Sequence, residues 1–273
     1  MKKQDYIRPI STTANPSATC YCCGSFILMS DKDTGFCHFC EAYNLLDENI
    51  PENSLSDKFY AIQMLIESND PAEAEKTLDK ILKYAEVQQN PAALFGAASI
   101  YRNLADAYYY NLDYNRHGFM EENSSNIYHS LDLTSKYKTL FYKLIRMAEP
   151  NLEMPSDSNL IYLAFFSCLK LKNYHKAKKF LNALSRISKG LEVEYAEIAF
   201  EVDSGNGIKP EKIFNMVSKG NSNSLYYLAK NNVKLKRFKE AKSILERLNS
   251  RVNMPDSRYL LLKIEKFMKE TEL

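Results

Sequence analysis

Tryptophan is absent from the 273 residues, and glycine (8) and histidine (4) are scarce. So few glycines leave little material for phosphate-cradling loops or frequent tight turns, and they speak against an α/β architecture. No P-loop, dinucleotide fingerprint or G-x-S-x-G elbow occurs, and Gly205-Asn206-Gly207 reads as a turn between helices. His38, His117, His129 and His175 stand in no metal-ligand pair and beside no nucleophile motif, so no enzyme is expected. No apolar run reaches the roughly 20 residues of a membrane span. Met1-Lys2-Lys3 is followed by Gln4-Asp5-Tyr6 and not by an apolar signal segment, which points to a soluble cytoplasmic protein with no membrane partner. Charge of one sign is also missing as a global feature, since the net is only +2. That balance hides a division. Residues 156–273 carry 22 Lys and Arg against 13 Asp and Glu, which leaves 14 basic and 21 acidic residues for 1–155.

Cysteine is rare except in one stretch, because five of the six lie between Cys20 and Cys40. Cys20 with Cys23, and Cys37 with Cys40, form two C-x-x-C pairs separated by thirteen residues. Each such turn aims two thiolates at one spot, and two turns supply the four sulfurs of a tetrahedral zinc site. Gly24 follows the first pair and Gly35 precedes the second. Phe26 to Met29 reads as a short strand and Ser30 to Gly35 as its hairpin turn. The stretch resembles the zinc ribbons, over residues 18–45 only. The spacing favours Cys20, Cys23, Cys37 and Cys40 as the ligands, with Cys22 and His38 as alternatives for one place. Iron in a rubredoxin-like site, disulfides and a redox C-x-x-C are the rival readings. A reducing compartment and a cysteine-dense knuckle favour structural zinc over them.

Beyond the ribbon, residues 1–17 read as a tail, 46–55 as a linker and 56–273 as a helical domain. Pro51, Pro71, Pro91, Pro150, Pro155, Pro210 and Pro255 mark its seams, and apolar residues at helical spacing fill the segments between them. Phe59, Ile62, Leu65 and Ile66 line a first helix, Ala74 to Ala85 a second and Leu94 to Tyr110 a third. Residues 111–126 have a loop's composition, and Tyr137 to Ala148 line another helix. The last third repeats itself. Leu160 to Leu181 matches Leu225 to Leu245, with an offset of 65 that becomes 64 after one deletion. That is close to twice the 34-residue helix–turn–helix period. The second copy resembles a tetratricopeptide repeat: Leu225, Leu228 and Ala229 fit its first helix, and Phe238, Ala241, Leu245 and Leu248 its second. Asn232 departs from the pattern, and residues 190–220 match poorly. The resemblance implies a mainly α chain in which hairpins stack into a solenoid, with the helix from Arg258 to Lys269 as its cap.

Cys168 lies among Leu163, Phe166 and Leu169 of a predicted helix and reads as a buried structural thiol. Tyr108, Tyr109 and Tyr110 are successive helical positions, so their rings cannot share one stacking face. Lys170, Lys172 and Lys178 align with Lys234, Lys236 and Lys242, and Lys176, Lys179, Arg237 and Lys239 add charge nearby. Equivalent side chains of stacked hairpins would form a basic stripe, with Lys172, Lys176, Lys236, Arg237 and Lys239 as candidate partner contacts. An ordinary solvated face is the other reading of the same residues. The whole pattern leads to the expectation of a non-catalytic adaptor or scaffold that binds a protein or peptide, acidic in character. A nucleic-acid-associated regulator using the ribbon and the basic stripe is the alternative, although Lys32 is the only cation between Cys20 and Cys40. The acidic first half and basic second half also allow head-to-tail self-association.

Overall fold

The computed structural model describes residues 17–19, 26–28, 34–36, 43–45, 62, 65, 71–83, 89–110, 112–113, 118–119, 124–205, 208–219, 224–250 and 255–271. The chain is mainly α-helical, preceded by short antiparallel ladders. Strand β1 (Ser17–Thr19) pairs with β2 (Phe26–Leu28), with Ser17 opposite Leu28 and Thr19 opposite Phe26. Strand β3 (Thr34–Phe36) pairs with β4 (Tyr43–Leu45), with Thr34 opposite Leu45 and Phe36 opposite Tyr43. The pairing therefore differs from the hairpin expected around residues 30–35. Strands β2 and β3 are neighbours, but each takes its backbone partner across a cysteine pair. Gly35 lies inside β3, opposite Asn44.

Proline sets four helix starts. Pro71 opens α1 (Pro71–Ile81), Pro91 opens α2 (Pro91–Tyr110), and in the second half Pro210 and Pro255 open helices in the same way. At the first helical position the missing N–H has no intrahelical partner to lose, and the fixed φ is already helical. Asn90 caps α2 by accepting the Ala93 N–H at 3.0 Å. Ile62 and Leu65, expected in a helix ahead of α1, are helical, and Ile62 is buried. Among the described residues of 111–126, expected as a loop, are the two-residue strands β5 (Leu112–Asp113) and β6 (Gly118–Phe119) and the start of α3 (Ser124–Ala148). Ser130 ties the early part of α3 to α2 by donating to the Ala105 carbonyl at 2.7 Å. A 3₁₀ turn, Glu149–Leu152, ends it.

The two sequence copies fold alike. Helices α4 (Ser158–Lys170) and α5 (Tyr174–Ile187) form the first, and α8 (Ser224–Lys234) and α9 (Phe238–Asn249) the second. Between them lie α6 (Leu191–Ser204) and α7 (Pro210–Ser218), in the region where the repeat pattern fades. Both copies turn through a lysine at positive φ, 57° at Lys172 and 59° at Lys236. In the first, Lys172 N–H donates to Leu169 O at 3.0 Å and Asn173 N–H to Cys168 O at 2.8 Å. In the second, Lys236 N–H donates to Val233 O at 3.0 Å and Arg237 N–H to Asn232 O at 2.9 Å. These are the paired bonds of a Schellman helix end, in which the left-handed residue is usually glycine. Ala177 and Ala241, aligned in the sequence, are both fully buried, as are Leu184 and Leu248 to within 1%.

One aromatic chain runs through alternate helices. On α4, Tyr162 and Phe165 each meet Phe166 (4.8 and 4.9 Å between centroids). Phe166 meets Tyr195 of α6 at 6.1 Å, Tyr195 meets Tyr227 of α8 at 5.5 Å, and Tyr227 meets Tyr226 at 5.3 Å. Helix α10 (Pro255–Thr271) packs against α9 and also returns to α2. The contact with α2 is additional to the packing on α9 expected of a terminal cap.

Candidate partner-binding surface

Where the aligned lysines lie decides how much of a stripe they can form. Lys170 reaches Asp256 of α10 at 2.5 Å. Its counterpart Lys234 donates to the carbonyls of Val202 and Asp203 at the end of α6. Lys178 stands over the Phe200 ring at 5.2 Å, and Lys242 pairs with Glu265 of α10 at 2.9 Å. These four fasten one helix pair to a neighbouring element. Lys176 pairs with Glu149 in the 3₁₀ turn that follows α3. Lys172, Lys236, Arg237 and Lys239 are exposed at the two turns and the start of α9. The structure therefore divides the expected stripe into lysines engaged with neighbouring elements, of which Lys178 and Lys234 are themselves exposed, and two exposed basic turns. Sequence spacing alone gives both groups the same appearance.

A charge network lies between α2, α4 and α10, and no local pattern in the sequence marks it. Asp256, in the first turn of α10, accepts from Arg102 of α2 at 3.0 Å and from Lys170 of α4. Its side chain is only 12% exposed. Burial would raise its pKa, but Lys170 and Arg102 hold the carboxyl well below the usual carboxylate range. Arg102 also lies 4.0 Å from Asp106, one turn along α2, and Lys263 of α10 reaches Asp106 at 3.3 Å. Tyr259, between Asp256 and Lys263, donates to the Asn103 carbonyl at 2.7 Å. Nearby, Lys230 of α8 pairs with Asp203 at 2.5 Å beneath the rings of Tyr226 and Tyr227.

A second polar cluster joins α1 to α3. Glu75 takes Lys136 at 2.8 Å and His129 at 2.7 Å, and Lys136 also reaches Asp79 at 3.1 Å. The Tyr101 hydroxyl donates to Asp79, and burial first, then that bond, drive its pKa far upward. A cleft of about 330 Å³ opens beside Asp79, Tyr101, Asp132 and Lys136. Among the described residues no group of His, Cys, Asp and Glu could hold a metal ion. Cys168 is fully buried, and its thiol is pushed up to about 12 mainly by that burial. Such a thiol is a packing group at neutral pH. Tyr108 packs on the core and Tyr109 is 53% exposed.

Cys20, Cys23, Cys37 and Cys40, with Cys22 and His38, lie outside the described residues. The strands that flank them do not. Residues 20–25 join β1 to β2 and residues 37–42 join β3 to β4, so each C-x-x-C pair begins a six-residue hairpin connection directly after a strand. No described helix is long and apolar enough to cross a membrane. No protein-family model matches this sequence, and no match was found among curated proteins or among solved structures.

Proposed function

We propose that the chain is a non-catalytic adaptor: a stack of tetratricopeptide-like hairpins that binds an acidic protein segment, joined to an N-terminal zinc ribbon. The observation that carries the reading is the pair of matching turns. Lys172 and Lys236 hold the same left-handed backbone, 64 residues apart, and both are exposed. Placing lysine where glycine fits better costs stability, and such costs collect at sites that serve another purpose. With Arg237 and Lys239 beside them, these turns would present cations to a carboxylate-rich partner. The test is capture from the native host with the wild type and with a variant carrying Lys172, Lys236, Arg237 and Lys239 as Glu. Captured acidic proteins should be lost with the variant while its helical content and size stay unchanged. An unchanged set would reduce these turns to a solvated face. A salt-dependent shift of DNA or RNA by the wild type would instead favour the nucleic-acid regulator.

The ribbon reading is supported by symmetry in the backbone register. In sequence, Cys20 and Cys37 each directly follow a strand, and Cys23 and Cys40 each stand three positions before that strand's partner. Purified protein should hold one zinc per chain through Cys20, Cys23, Cys37 and Cys40. Metal analysis of Cys→Ser variants checks the ligand set: Cys22→Ser should keep the zinc, and Cys23→Ser or Cys40→Ser should lose it. The opposite pattern for Cys22 and Cys23 would replace one ligand. Chelation should leave the helical circular dichroism signal in place, because metal-coupled folding is local to the ribbon.

A further inference from the structure

We propose that the face of α2 and α4 covered by α10 is a docking site for a helix of a partner protein, with α10 as its built-in competitor. Asp256, Tyr259 and Lys263 stand at i, i+3 and i+7, which places them on one face of α10. Each finds a partner on the covered face: Asp256 meets Arg102 and Lys170, Tyr259 meets the Asn103 carbonyl, and Lys263 meets Asp106. The covered surface thus has a cationic end, a carbonyl acceptor and an anionic end in a fixed order. The complementary ligand is a helix reading Asp-x-x-Tyr-x-x-x-Lys.

The character of the seam is what makes it exchangeable. Tyr259 and Leu262 are buried but stand outside the continuous apolar core, which α10 joins through Ile264, with Leu260, Leu261 and Met268 packed against it. On its other side α10 is held by α9, with Phe267 against Phe238 at 4.8 Å and Glu265 on Lys242. The helix can therefore stay anchored to α9 while its polar face leaves α2. Charged pairs of this kind give selectivity more than strength, since each charge regains water on opening.

This inference rests on the adaptor reading, and it adds the ligand class and the competition. The probe is a fluorescein-labelled synthetic peptide of residues 255–271, followed by anisotropy against the full chain. Wild type should bind it weakly, because the tethered α10 competes at high effective concentration. Asp256→Asn with Tyr259→Phe should loosen the resident helix and tighten peptide binding at least about tenfold. Adding Arg102→Gln and Lys170→Gln should abolish that gain, and a peptide carrying Asn in place of Asp256 should bind no variant tightly. Hydrogen exchange of the wild type gives an independent measurement that needs no variant to fold. Amides at 256–263 should exchange faster than those of α5, and faster again with excess peptide. Equal peptide affinity in wild type and double variant, a gain insensitive to Arg102 and Lys170, or exchange at 256–263 as slow as in α5 and unmoved by peptide would each overturn the proposal. Loss of acidic partners in the turn variant, with no peptide binding here, would leave the adaptor reading intact and reject this site.

Discussion

Lys172 and Lys236 each adopt a backbone conformation that an L side chain enters at a cost of about 1 kcal/mol. Lys236→Gly should therefore stabilise the protein by about that amount, and Lys172→Gly likewise, as read from urea midpoints. Lys236→Ala should bring no such gain, since alanine keeps the Cβ while removing the charge. If the turns serve partner binding, the double glycine variant should be more stable and bind acidic partners less. The two turns differ one residue further on. Asn173 caps α5 by accepting the Lys176 N–H at 3.2 Å, whereas Arg237 makes no side-chain cap for α9. Arg237→Asn should add about 0.5–2 kcal/mol by supplying the missing acceptor. Little of this was legible beforehand. Asn173 is a helix-start signal in the first copy, but the second copy's Leu-Lys-Arg carries no glycine or asparagine to mark its turn.

Element by element, the sequence was clearest where side-chain size fixes packing. Ala177, Leu181 and Leu184 repeat as Ala241, Leu245 and Leu248, and all six are buried as the repeat implies. Ala241→Leu should overpack the α8–α9 contact and cost roughly 1–3 kcal/mol. The same change at exposed Lys239 should stay within about 0.5 kcal/mol. Equal midpoints for the two variants would undo the assigned register. The elements that were missed have weak local signals. Ser124, Ser125 and Asn126 begin α3 although their types favour turns, and the helix is held there by Ser130 on the Ala105 carbonyl and by His129 on Glu75. Contacts made with residues 25 and 54 positions away override local preference, and no window of sequence reports them. The pairing of the four N-terminal strands, though not the strand at Phe26–Leu28, was misjudged for a related reason. Three-residue strands carry too little pattern to show whether they pair across residues 29–33 or across the cysteines.

At the scale of the molecule, the return of α10 to α2 is the feature the sequence did not disclose. Arg102 and Asp256 lie 154 residues apart, and Lys170 and Asp256 lie 86 apart. Each reads on its own as an ordinary charge on an amphipathic helix. Together they place an ionised carboxylate where little water reaches it, so the seam should respond to acid in a defined direction. The folded pKa of Asp256 lies below its unfolded value, which is near 3.9 for a free aspartate. Its contribution is therefore complete above about pH 4, and it declines as the pH falls through the folded value. At neutral pH, Asp256→Asn should destabilise the protein by roughly 3–5 kcal/mol, because it leaves Arg102 and Lys170 facing a neutral side chain in a largely buried place. The difference between wild type and variant should hold steady from neutral pH down to about pH 5. Below about pH 4 it should shrink, since protonation of the wild-type carboxyl removes the same charge. Denaturant titrations of both proteins across that range measure the difference directly. A gap that stays constant into strong acid would mean that Asp256 supports the fold through shape and hydrogen bonding alone. The charge of the seam would then have no part in closing the molecule.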